Sequence, residues 1–165
     1  MDTVSGEAPP RATGFWRPFD LAYKLAGNLS WLPPLLTRIV IGQSYFLNGQ
    51  GKWTNLENVI TFFTELGIPG PRANATFVAG LELIGGLCLI VGLGTRVVSL
   101  LLSGTMVVAL LTADRESFVS AFGSDLTSVT PVPFLLFLIW LLLYGPGKIS
   151  VDHLIFRRFR RDGGN

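Results

Sequence analysis

The sequence predicts an all-α integral membrane protein, a four-transmembrane-helix bundle with amphipathic helices at the membrane interface. Three observations predict it. Of 165 residues, 49% are hydrophobic and only 15% are charged, where a soluble domain carries about 25% charge. The apolar residues fall in four continuous runs rather than in strand-like alternation. The chain has one cysteine and one histidine, too few for a disulfide framework, a bis-histidine haem or a self-contained His-ligated metal site. The same figures exclude a disordered tail, a coiled coil and a nucleic-acid-binding domain. Three segments follow: a cytoplasmic N-terminal segment over 1–30, a four-helix transmembrane domain over 31–147, and a cytoplasmic basic amphipathic helix and tail over 148–165.

The opening MDTVSGEAPP is polar and contains Asp2 and Glu7. It lacks the basic stretch and short apolar run of a cleavable signal, so insertion is expected to rely on internal spans. Residues 1–14 are expected to be disordered and the rest of the segment interfacial. Span one is expected over 31–49, span two over 74–93, span three over 97–113 and span four over 131–144. Lipid offers no partner to a bare backbone, so each is expected to be a helix. Span four is short: 14 residues rise about 21 Å against a hydrocarbon core of about 30 Å. It is expected to begin earlier, near Ser128, or to be shielded by neighbouring protein.

Between the spans, TNLENVITFFTEL (54–66) reads as a helix in the membrane surface. Thr54 and Glu57 suggest a capping box. Leu56, Val59, Ile60, Phe63 and Leu66 share one face. Gly67 is placed to close this helix in the left-handed conformation. Trp53 suits the headgroup level. Gly92 and Gly94 mark a tight turn, and Gly145-Pro146-Gly147 ends span four. Ser150–Phe159 reads as a second amphipathic helix, with Val151, Leu154, Ile155 and Phe159 toward lipid. The stretch 114–130 is expected to be an outward-facing loop.

The basic residues set orientation. With both termini on one side, that side holds Arg11, Arg17, Lys24, Arg96, Lys148, Arg157, Arg158, Arg160 and Arg161. The other side holds Lys52, Arg72 and Arg115. The imbalance places both termini in the cytoplasm. Arg157, Arg158, Arg160 and Arg161 form a membrane-surface patch against anionic lipid.

Two charges fall inside spans, Arg38 and Glu82. Each costs at least ~3 kcal/mol at mid-bilayer, which marks a pair, a polar cavity or a functional site. Counted from the span ends, their depths differ by only ~7 Å, so an Arg38–Glu82 ion pair is expected. It would fix helix register, or line a pocket for a quinone headgroup, a lipid headgroup or a proton. The alternative is Arg38 snorkelling to the surface beside a protonated Glu82. Gln43, Ser44, Tyr45 and Asn48 could extend a polar stripe or bond between helices. Gly85 and Gly86 leave room beside Glu82 for a partner backbone or a flat ring. The candidate ligand-binding set is therefore Arg38, Glu82, Gln43, Gly85 and Gly86. No catalytic or metal-ligating set is expected. Small residues at four-residue spacing (Ala75 and Ala79, Thr76 and Gly80, Ser99 and Ser103, Thr105, Ala109 and Ala113) suit close helix packing. Cys88 reads as a buried, inert thiol.

FVAGLELIGGLCLIVGLGTR (77–96) resembles the signature of DoxX-type membrane proteins, an acid in an Ala-Gly-x-x-Glu-x-x-Gly-Gly context followed by Gly-Leu-x-Thr-Arg. FFTELGIPGP (62–71), MVVALLTADRES (106–117) and YGPGKISVDHLI (144–155) resemble further stretches of that family, in the expected order. The resemblance implies a four-helix membrane fold and makes Glu82, Gly85, Gly86, Arg96 and Asp152 motif positions. Some relatives are subunits of quinone-linked oxidoreductases. Many carry an Asn-Gly-(Gly)-Glu element before span four. Here that stretch is SDLTSVTPVPF, without a glutamate.

The function expected is a non-catalytic accessory or anchor subunit of a membrane redox or electron-transfer complex in the bacterial inner membrane. The alternatives are a quinone-binding oxidoreductase subunit and a small lipid or metabolite transporter. No intrinsic cofactor is expected, with quinone or lipid as the ligands such a site could take. The expected partners are membrane lipids, other subunits of a redox complex, or further copies of the chain.

Overall fold

The computed structural model describes residue 27 and residues 29–162. Trp31 onward forms one compact unit. The expectations for residues 1–26 lie outside the described residues. Among those described there is no strand. Seven α-helices follow in order: α1 (Leu32–Thr54), α2 (Leu56–Glu65), α3 (Pro71–Val91), α4 (Thr95–Leu111), α5 (Arg115–Ala121), α6 (Pro131–Tyr144) and α7 (Val151–Asp162).

Proline and glycine set the boundaries. α1, α3 and α6 each open with proline in the first turn, where its missing N–H has no helical partner to lose. α1 runs five residues beyond the expected span, and its last turn takes in Lys52 and Trp53. The Thr54–Glu57 capping box does not form. Thr54 still belongs to α1, and its hydroxyl donates back to the Gln50 and Gly51 carbonyls at 3.1 and 3.0 Å. Glu57 instead meets Arg72 at 3.4 Å on the exposed surface. α2 ends as expected, with Gly67 at φ +70°. Gly67 N–H then donates to Thr64 O and Ile68 N–H to Phe63 O, both at 3.0 Å.

The stretch expected as a loop over 114–130 is partly helical. α5 is bent 82° from α4 across the residues between them, and a 3₁₀ turn follows at Leu126–Ser128. Asp125 caps that turn by accepting from the Thr127 N–H and hydroxyl. α6 keeps its 14 residues, so it does not extend back to Ser128. Among the described helices, α3 alone is both long and apolar enough by itself to cross a membrane. α4 reaches that length only together with α5, across the bend.

α1 packs along α3, α3 against α4, α4 along α6, and α6 returns to α1. Ile41 and Tyr45 from α1, Leu89 from α3, Leu102 from α4, and Leu138 and Leu141 from α6 form the core between them. The α1–α3 contact is backbone on backbone. A methyl group added at Gly86 would strike the Phe46 backbone nitrogen, and one at Gly49 the backbone of Leu83. Ala75, Ala79, Ser99 and Ser103 of the small-residue stripes are buried, whereas Ala113 is exposed. The outward faces of the same helices are apolar: Ile84, Val97, Leu111 and Leu143 are 64% to 73% exposed. Large aliphatic side chains thus lie on the outward faces as well as in the core, while the charged Arg38 and Glu82 are buried, a distribution suited to an apolar surrounding.

Candidate functional site

Arg38 and Glu82 are both buried, at 1% and 2% exposure, but they do not pair. Gly92 is level with Arg38, since a methyl group there would overlap the Arg38 guanidinium. Glu82 lies ten residues back along α3, about 15 Å at 1.5 Å per residue. An arginine side chain cannot cover that. The expected pair rested on a register that set Arg38 too deep. α1 instead enters beside the α3–α4 turn, so Arg38 sits near one end of the helices and Glu82 toward the other.

Glu82 takes Lys52 as its partner. Gly49 has no side chain to hold the helices apart, and a methyl group on it would lie 2.8 Å from the Glu82 carbonyl carbon. That close approach lets Lys52, three residues on in α1, reach Glu82 Oε1 at 2.5 Å. Lys52 is 34% exposed and Glu82 2%, so the pair runs from the surface to the interior. The second carboxylate oxygen, Oε2, is buried with no protein partner. The hydroxyl of Tyr45 is buried and unpartnered too. Its ring packs edge-on to Phe134 of α6, centroids 5.6 Å apart. Buried polar atoms without partners are uncommon in native interiors, which makes Lys52, Glu82 and Tyr45 the first candidate site. Lys52 as the partner was not anticipated, because α1 was expected to stop at residue 49.

The second polar cluster lies at the opposite end. Arg38 Nε donates to Pro34 O at 3.3 Å, and Nη2 donates to Ile149 O. Asp152, in the first turn of α7, accepts from the Gly94 and Thr95 N–H groups at 2.7 and 3.0 Å. It therefore caps α4 from a distant part of the chain. Asp152 N–H donates to Gly92 O at 3.0 Å. Ser150 Oγ accepts from His153 N–H at 3.1 Å, capping α7. Gly92 and Gly94 adopt φ +77° and +59°, which only glycine takes at little cost. The motif positions Asp152 and the Gly92–Thr95 turn are thus parts of one clamp.

The other expected site residues divide between packing and surface. Gly86 is covered by the α1 backbone, and Gly85 by Val98 and Leu102 of α4. Gln43 is exposed on the outer face of α1, away from both clusters. Arg157 and Arg158 are exposed on α7. Arg160 and Arg161 lie in α7, but their side chains are outside the described set. Cys88 is a half-buried free thiol.

The DoxX family model matches residues 34–115, which covers α1 to α4. The protein named "Putative oxidoreductase CatD" from Bacillus subtilis (strain 168) is 32% identical over 124 residues, 74% of this chain and 87% of that protein. No solved structure matches. The family match spans the stretches that carry Arg38, Lys52 and Glu82, and the chain belongs to the membrane-associated DoxX family.

Proposed function

We propose that this chain is a non-catalytic accessory or anchor subunit of a redox complex in the bacterial cytoplasmic membrane. In this reading α1, α3, α4 and α6 cross the bilayer and both termini are cytoplasmic. The apolar outward faces of all four helices support the crossings, and the basic excess near the termini supports the orientation. The link to redox chemistry rests on the relative's printed name. The observation that carries the accessory role is how the interior is used. Arg38 is held by carbonyls, Glu82 by Lys52, and Gly85 and Gly86 are filled by neighbouring helices. Its charges and small residues serve contact, and electrons would come from a partner polypeptide. The test is extraction in mild detergent followed by native mass spectrometry. A larger redox protein at fixed stoichiometry is the expected outcome, and a chain that always leaves the membrane alone would refute it.

A second reading, a quinone-binding subunit, is favoured by one observation: the unpartnered Glu82 Oε2 and Tyr45 hydroxyl. Those two atoms could meet the oxygens of a quinol, with the Glu82 carboxylate accepting its proton. It predicts quinone co-extracted with the protein and lost in Tyr45→Phe and Glu82→Gln. The accessory reading predicts no difference in quinone content.

A further inference from the structure

An open groove of about 410 Å³ lies at the clamp end of the molecule, bordered by α1, the last turn of α3 and the start of α7. Its walls are aliphatic: Leu35 from α1, Ile90 and Val91 from α3, and Leu154 from α7. Two cations, Arg38 and Lys148, line it as well. Arg38 is 1% exposed, and its Nη1 has no hydrogen-bond partner although Nε and Nη2 are both used. The neighbouring acid, Asp152, has both oxygens engaged by the Gly94 and Thr95 amides. The groove is therefore apolar along its sides and cationic, and the unsatisfied Arg38 nitrogen lies just beneath its floor, against Gly92.

We infer that this groove binds one anionic phospholipid, its phosphate at Arg38 and Lys148 and an acyl chain along Leu35, Ile90, Val91 and Leu154. A guanidinium is the side chain best suited to phosphate oxygens, and an apolar wall beside a basic pocket between helices suits an anionic lipid headgroup. Val91 and Leu154 are 47% and 63% exposed, so the walls open outward to the surface from which a lipid would enter. Arg157 and Arg158 on α7 would attract the same lipids loosely, whereas the groove would hold one tightly. The inference uses the membrane setting of the family and stands apart from the redox reading.

The test uses the full chain in detergent, titrated with phosphatidylglycerol or phosphatidylcholine and read by native mass spectrometry. One phosphatidylglycerol is expected to bind at least tenfold more tightly than phosphatidylcholine. Val91→Trp fills the groove without changing any charge and is expected to abolish that preference. Lys148→Ala is expected to weaken it about fivefold, and Arg115→Ala, outside the groove, to leave it unchanged. Circular dichroism of each variant establishes that it is folded, and Lys148→Ala, at an exposed position, decides if Val91→Trp is not. Equal binding of the two lipids would overturn the inference. So would a preference that survives both variants, which would place the lipid on the α7 arginines. Competition by inorganic phosphate at comparable concentration would identify a free-anion site and overturn it too.

Discussion

The two buried charges are held in opposite ways. Arg38 is fixed by main-chain carbonyls from two parts of the chain, inside a clamp whose glycines, Ser150 and Asp152 leave it one position. Glu82 depends on a single side chain, Lys52, which is itself one-third exposed. A carbonyl scaffold cannot be titrated or rotated away, whereas an ion pair can open. The clamp end is thus built for rigidity, and the Glu82 end keeps a carboxylate oxygen and a nearby phenol uncommitted. If either end exchanges a proton, it is the Glu82 end, where the partner is a titratable side chain and not a carbonyl.

Four single substitutions and one double variant would break or sharpen that contrast, each read as thermal or denaturant unfolding in detergent. Gly92→Ala should be the most damaging. It imposes a left-handed residue at about 1–2 kcal/mol and displaces the Arg38 guanidinium, for a total of about 3 kcal/mol or more. A loss below ~1 kcal/mol would mean the clamp yields easily. Lys52→Ala leaves Glu82 buried without its cation. Breaking a fully buried pair costs about 3–5 kcal/mol. Exposure of Lys52 lowers this to about 2–3 kcal/mol. Glu82→Gln in the Lys52→Ala background should recover most of the loss, and no recovery would show that the two residues are uncoupled. Asp152→Ala removes the α4 cap and should cost about 1–2 kcal/mol, with faster amide exchange at Gly94 and Thr95. Unchanged exchange at those amides would remove Asp152 from the clamp. Gly104→Ala, on α4 with nothing within 4 Å of the added methyl, should stabilise by up to about 1 kcal/mol. It gives the baseline for a helix glycine with no packing role.

The helices were legible because proline, glycine and long apolar runs punctuate the sequence plainly. α3, α4 and α6 begin within three residues of where those signals place them. The contacts between helices were less legible. Arg38 and Glu82 stood out as charges in apolar runs, but which would meet which depends on how far α1 slides along α3. Gly42, Gly49 and Gly86 set that offset by admitting backbone contact, and nothing in the depth count reflected it. Lys52 was missed because Asn48, Gly49 and Gly51 look like the end of a helix, yet α1 continues to Thr54. Gly49 serves helix packing, not a turn, and Gly51 lies within the helix facing open space. The resemblance marked Asp152 and Gly92–Thr95 as special but gave no reason. The reason is a hydrogen-bonded cap between residues 58 positions apart.

That cap has a consequence for how the chain is made. Synthesis runs from the N-terminus, so the α3–α4 turn is made before Asp152 exists. Until then the first amides of α4 have no carboxylate to bind, and Arg38 lacks the Ile149 carbonyl. A segment made later, around residues 149–152, therefore completes the turn at residues 92–95. Assembly of this end therefore waits for α7, and a defect in α7 would be felt first at residues 92–95.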